Sequence, residues 1–260
     1  MQRRIGRLLL VYFLIRIPLV TLAEALNWTE NGLIAPILRL MMYGLIAAML
    51  VVARNSLNEF RVDRFTLFVF VAFGLLASLP AGTDSNFWLG LIYFATALAA
   101  VVFAIRILRS RQLRGGWAPF DWNWLVIGLM SSVALRLFLS ALGRLVAGST
   151  PLLQTERSIT AGEFVIFFIS FLGVAAVEEL AFRGFLWGYL ERRGWKGGAI
   201  LLFQAALFWV AHLRQIDQPI SFWVALPAAG LLLGWLAWKS KSLAASLLAH
   251  SIYNTVRYWF

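Results

Sequence analysis

Apolar residues run almost without interruption through nine stretches of this chain, at about 8–26, 33–53, 65–79, 87–108, 124–142, 163–190, 198–213, 219–238 and 242–257. Short polar connections separate them. A helix needs about 20 apolar residues to cross a hydrocarbon core of roughly 30 Å, and most of these runs approach that length. They are continuous and rich in Leu, Ala and Phe, without the alternation of a membrane β-strand. The pattern predicts an all-α, polytopic helical membrane protein with eight or nine transmembrane helices. The last run is short and amphipathic for a full crossing.

Composition agrees. Of 260 residues, 61% are hydrophobic and only 13% charged, and the mean hydropathy is +0.79. A soluble domain of this length needs more polar surface to cover its core. The net charge of +11 raises the question of nucleic acid, but its distribution answers it. The cations gather in connections: Arg3, Arg4 and Arg7; Arg54, Arg61 and Arg64; Arg106, Arg109, Arg111 and Arg114; Arg192, Arg193 and Lys196; Lys239 and Lys241. The turns at 27–32 and 80–86 carry neither Lys nor Arg. This is the positive-inside pattern with the N-terminus in the cytoplasm, and the partner it implies is a lipid bilayer, not nucleic acid. Arg144, Arg157 and Arg214 run against it. Trp117, Trp122 and Trp124 beside a basic connection suit an interfacial aromatic belt.

The chain has no cysteine, which excludes disulfides, thiolate nucleophiles and Cys-ligated metals. Its first run follows two arginines, lacks a small-residue cleavage site and reads as an uncleaved span interrupted by Arg16 and Pro18. Short loops and the lack of a targeting segment suit a prokaryotic cytoplasmic membrane. The Gly-containing basic stretch 106–121 divides the chain. Residues 1–120 form N-terminal membrane helices without a recognised motif, and 121–260 form a helical core that holds every intramembrane motif, the whole being one continuous membrane domain.

Those motifs are three. Glu178 and Glu179 precede Arg183 in the sixth run, His212 follows Phe208 by four, and His250 precedes Asn254 by four. A charge at mid-bilayer costs roughly 2.5–3.5 kcal/mol on insertion scales, so such residues are rare and usually functional. Residues four apart share a helical face, so Glu179 can pair with Arg183, while Glu178 is rotated by about 100° into a neighbouring groove. Counted from the basic turn at 192–197, Glu178 and His212 lie about 21–22 Å deep on adjacent antiparallel helices. Phe208 can pack beside the imidazole. His250 and Asn254 fall somewhat shallower, as hydrogen-bond donors suited to a developing oxyanion. Read as structure alone, these residues would be helix-fastening pairs and polar clamps. The shared depth of Glu178 and His212 favours chemistry.

The chain has no His-Glu-x-x-His helix, Gly-x-Ser-x-Gly elbow or phosphate loop. What remains is a set able to activate water without an obvious covalent nucleophile.

The run Val177-Glu178-Glu179-Leu180-Ala181-Phe182-Arg183 resembles the Glu-Glu-x-x-x-Arg signature of the CAAX prenyl protease and bacteriocin-processing family of intramembrane endopeptidases. Phe208–His212 resembles its Phe-x-x-x-His motif and His250–Asn254 its His-x-x-x-Asn motif, in the same order, and the likeness covers about 120–257. The resemblance implies an eight-helix hydrolase with a water-filled cavity open to the cytoplasm. Glu178 and His212 would activate a water, His250 and Asn254 would stabilise the oxyanion, and Glu179 and Arg183, with Phe208, would organise the site. The implied substrate is a peptide or protein, prenylated or membrane-bound, and no cofactor is required. Three alternatives remain: a zinc protease using Glu178, His212 and His250 as ligands, a non-catalytic scaffold or immunity protein, and a transporter with a carboxylate proton relay.

Overall fold

The computed structural model describes residues 1–26, 34–74, 102, 116–147 and 160–256. Every regular element among them is helical. Helix α1 (Gln2–Leu14) passes through a π-helical segment, Ile15–Leu19, into α2 (Val20–Ala25). Pro18 lies inside that segment and has no N–H to donate to the preceding turn, a common reason for a helix to widen. Then come α3 (Ile34–Ala53), a 3₁₀ turn (Leu57–Phe60), α4 (Arg64–Phe73) and α5 (Trp122–Ala147). Helix α6 (Ala161–Glu179) continues through a second π segment, Leu180–Leu186, into α7 (Trp187–Glu191). Helix α8 (Gly197–Val210) precedes a third π segment (Ser221–Ala225), followed by α9 (Leu226–Ser240) and α10 (Ala244–Val256).

Four helical stretches are long and apolar enough to cross a bilayer: Gln2–Ala23, Trp122–Leu145, Ala161–Glu191 and Ser221–Ser240. The expected eight or nine spans are therefore not reached among the described residues. Ile37–Ala53, Arg64–Phe73 and Gly197–Val210 are apolar but shorter. At 1.5 Å per residue, the 13 residues of α10 span about 20 Å, well short of the hydrocarbon thickness. The run at 87–108, apart from Val102, and the turns at 27–32 and 80–86 lie outside the described residues, as do Arg106, Arg109, Arg111, Arg114 and Arg157.

The basic connections that are described meet at one end of the molecule. Ser56 Oγ donates to Met1 Sδ at 3.3 Å, Arg61 pairs with Glu191 at 3.1 Å, and Arg192 pairs with Glu59. Leu243 N donates to the Arg61 carbonyl at 3.0 Å. Arg61 also lies 4.7 Å over the Trp187 ring. Burial pushes its guanidinium pKa down, against the neighbouring Glu191 carboxylate.

Asp63 starts two helices. Its Oδ1 accepts from Thr66 N at 2.7 Å as the N-cap of α4. Its Oδ2 accepts from Thr66 Oγ1 at 2.9 Å, Ser242 Oγ at 2.8 Å and Ala244 N at 3.0 Å, at the start of α10. These four bonds oppose the upward push that burial gives the Asp63 carboxyl. Since Asp63, Ser242 and Leu243 are all buried, α10 begins beneath the surface of the bundle.

One hydrophobic core runs through both parts of the chain. Ile5, Leu9 and Tyr12 of α1, Leu50 of α3 and Phe70 of α4 pack in the same cluster as Ala176, Phe182, Trp187 and Phe208. The N-terminal helices are thus a wall of the motif-bearing core. Gly128 of α5 lies so close to α10 that a Cβ there would meet the Ala245 carbonyl oxygen at 2.8 Å.

Candidate active site

The two carboxylates sit at the end of α6, where the backbone widens into the Leu180–Leu186 π segment. Such π insertions are frequent at functional sites, because the extra residue per turn re-aims the side chains around it. Glu179 and Arg183 pair across it at 3.1 Å, both with side chains fully buried. Arg183 also donates to the Gly230 carbonyl at 3.4 Å and lies 4.3 Å over the Phe208 ring. Gln204, fully buried on α8, donates to the same carbonyl at 3.0 Å, so α8 and α9 are tied to the arginine that holds Glu179.

Glu178 has a partner of its own. Arg16, in the π segment of the first helix, donates from Nη2 to Glu178 Oε1 at 2.8 Å. The same nitrogen lies 3.4 Å from His212 Nε2. Each carboxylate is therefore held by a guanidinium carried on a π-helical segment. The groove into which helical phase turns Glu178 therefore holds Arg16, a partner that helical phase did not supply.

His212 follows the last turn of α8. Its Nδ1 lies 2.7 Å from the Phe208 carbonyl, which can only accept, so the proton of the neutral ring is on Nδ1. That leaves a lone pair on Nε2, which lies 3.9 Å from Glu178 Oε1. The Phe208 ring stands 4.6 Å from the imidazole and 5.9 Å from that of His250. It fills the space behind both histidines.

His250 reaches both carboxylates. Its Nδ1 is 2.8 Å from Glu179 Oε1 and its Nε2 is 3.7 Å from Glu178 Oε2. Residue counting from straight helices placed His250 shallower than Glu178. The inset start of α10 under Asp63 accounts for the difference. Asn254, one turn on, is half-buried and makes no side-chain hydrogen bond among the described residues.

The structure thus brings Glu178, Glu179, Arg183, Phe208, His212 and His250 together, with Asn254 one turn beyond His250 on α10. Sequence reasoning missed Arg16, although an arginine inside an apolar run is itself a signal of function. It also missed Gln204 and Asp63, whose surroundings show only in three dimensions. As for zinc, no group of three His, Asp or Glu is arranged to hold a metal among the described residues. The Arg16 guanidinium takes up the cationic position between Glu178 and His212, so these side chains as arranged do not fit the metal.

Residues 160–256 match the family described as type II CAAX prenyl endopeptidase, Rce1-like. This segment is similar to that CAAX protease family, and helices long and apolar enough to cross a bilayer make the chain an integral membrane protein. The matched segment contains all three motifs and excludes the helix that carries Arg16. No curated protein and no solved structure matches the chain.

Proposed function

We propose that this chain is an intramembrane endopeptidase that hydrolyses a peptide bond with a water activated by Glu178 and His212. The observation carrying this reading is the approach of Glu178 Oε1 to His212 Nε2 at 3.9 Å, with the Nε2 lone pair turned inward by the bond from Nδ1 to Phe208. A water hydrogen-bonded to both acceptors loses a proton to one of them as its oxygen attacks the scissile carbonyl. The same proton then passes to the leaving amine as the C–N bond breaks.

The tetrahedral oxyanion is held by the Asn254 carboxamide and by His250 Nε2. Since Nδ1 of His250 faces the Glu179 carboxylate, Nε2 donates when the ring carries both protons. Glu179, Arg183 and Phe208 organise the site, and no metal takes part. The substrate is a peptide or protein at the membrane, with a prenylated C-terminus as the class the family description suggests. The basic end faces the cytoplasm by the positive-inside rule, which places the N-terminus there.

Peptide-product mapping in membranes tests the reading, with farnesylated and unmodified peptides offered to the wild type, Glu178→Gln and His212→Ala. Each variant is expected to lose cleavage by about 10²-fold or more while remaining folded and inserted. Full function in both variants would support a scaffold instead.

A further inference from the structure

The motif-bearing segment does not contain everything that touches its carboxylates. Arg16 comes from the first helix, outside the matched residues, and its side chain is as buried as that of Glu178. Its Nη2 lies 2.8 Å from Glu178 Oε1 and 3.4 Å from His212 Nε2, touching both groups assigned to the water. The surrounding packing fixes it there. Phe13 meets Phe182 edge-on at 5.2 Å, and a Cβ at Gly6 would lie 2.9 Å from the Tyr189 ring. The π segment around Pro18 sets the direction of Arg16 locally.

Charge points the same way. Arg183 pairs with Glu179, which leaves the negative charge of the buried Glu178 without a guanidinium from the motif-bearing helices. The Arg16 guanidinium cancels it. A planar guanidinium is also a more directional donor than a point charge on a flexible stem.

We infer that Arg16 is a positioning residue of this site: its guanidinium orients the Glu178 carboxylate against His212 and balances the paired carboxylates. The inference rests on the proposed hydrolase reading. It makes the N-terminal helix part of the working site as well as part of the wall.

The test uses the full-length protein in proteoliposomes and a farnesylated CAAX-type fluorogenic peptide, with Arg16→Ala, Arg16→Lys and Glu178→Gln beside the wild type. Arg16→Ala is expected to lower kcat by about 10²-fold, as for misplacement of a catalytic group, with KM within about threefold. Arg16→Lys should retain more activity than Arg16→Ala. Millimolar guanidinium chloride should restore Arg16→Ala by roughly tenfold without affecting the wild type; a purely structural arginine would show no such rescue. Unchanged activity in a folded Arg16→Ala overturns the inference while leaving the hydrolase reading intact, provided Glu178→Gln is inactive. Raised activity in Arg16→Ala would make Arg16 a latch over the site and overturns it equally. A loss that neither lysine nor guanidinium relieves also overturns it. An active Glu178→Gln, or a wild type that cleaves no peptide, removes the reading beneath both claims.

Discussion

His250 stands between the two adjacent carboxylates, with Nδ1 2.8 Å from Glu179 Oε1 and Nε2 3.7 Å from Glu178 Oε2. One imidazole thus spans the residue that Arg183 holds and the residue that Arg16 holds. Each carboxylate affects the ring differently. Glu179 accepts the hydrogen bond from Nδ1–H and fixes the ring plane, whereas Glu178 faces the nitrogen left over for chemistry.

Glu179→Gln should therefore be a stability variant first. It removes the countercharge of a fully buried arginine, and breaking one partner of a buried pair costs about 3–5 kcal/mol. Thermal unfolding in detergent is expected to show a large drop in Tm, with activity falling alongside. A Tm close to that of the wild type would mean that Arg183 is satisfied elsewhere, through Gly230 or water.

Asp63 lies outside the motifs, yet it should govern how His250 is presented. Removing an N-cap acceptor costs about 1 kcal/mol, and Asp63→Ala removes acceptors at the starts of both α4 and α10, leaving buried donors unpaired. The expected loss is about 2–3 kcal/mol, with faster hydrogen exchange over residues 244–248. Asp63→Asn should lose less, because one carbonyl oxygen remains. Equal losses in the two variants would show that the charge matters and the cap geometry does not.

Much of this was legible along the chain, for a definite reason. Glu179 with Arg183, Phe208 with His212 and His250 with Asn254 are each four apart on a helix, so their shared faces follow from the period alone. The depth of Glu178 and His212 followed because both helices leave the same basic turn. Relationships between distant helices did not follow. Arg16 and Glu178 are 162 positions apart, and the widened turns that aim Arg16 and Arg183 have no unique sequence signature. The number of spans did not follow either: four are long and apolar enough among the described residues, and length in residues does not distinguish a crossing helix from a short one such as α10.

Packing between α5 and α10 supplies a separate test. Gly128→Ala would place a methyl 2.8 Å from the Ala245 carbonyl oxygen, a backbone atom that cannot rotate away. Overpacking of this kind costs about 1–3 kcal/mol, and the shift falls on the helix that carries His250 and Asn254. Activity is expected to fall more than stability, read as kcat against Tm. Gly44→Ala, where nothing lies within 4 Å of the added carbon, should leave both unchanged.

Metal dependence follows from where the guanidinium sits. A zinc ion bound by Glu178, His212 and His250 would draw on the same carboxylate oxygen and the same His212 nitrogen that Arg16 touches. Zinc and Arg16 Nη2 would then compete for one space, with two like charges side by side. Purified, active protein is therefore expected to hold no stoichiometric zinc by elemental analysis, and a chelator should leave cleavage unchanged. Arg16→Ala sharpens the test: if the guanidinium is what excludes a cation, that variant should gain zinc affinity that the wild type lacks. Stoichiometric zinc in the wild type, lost together with activity on chelation, would instead require Arg16 to turn out of the site and would make the histidines ligands rather than bases.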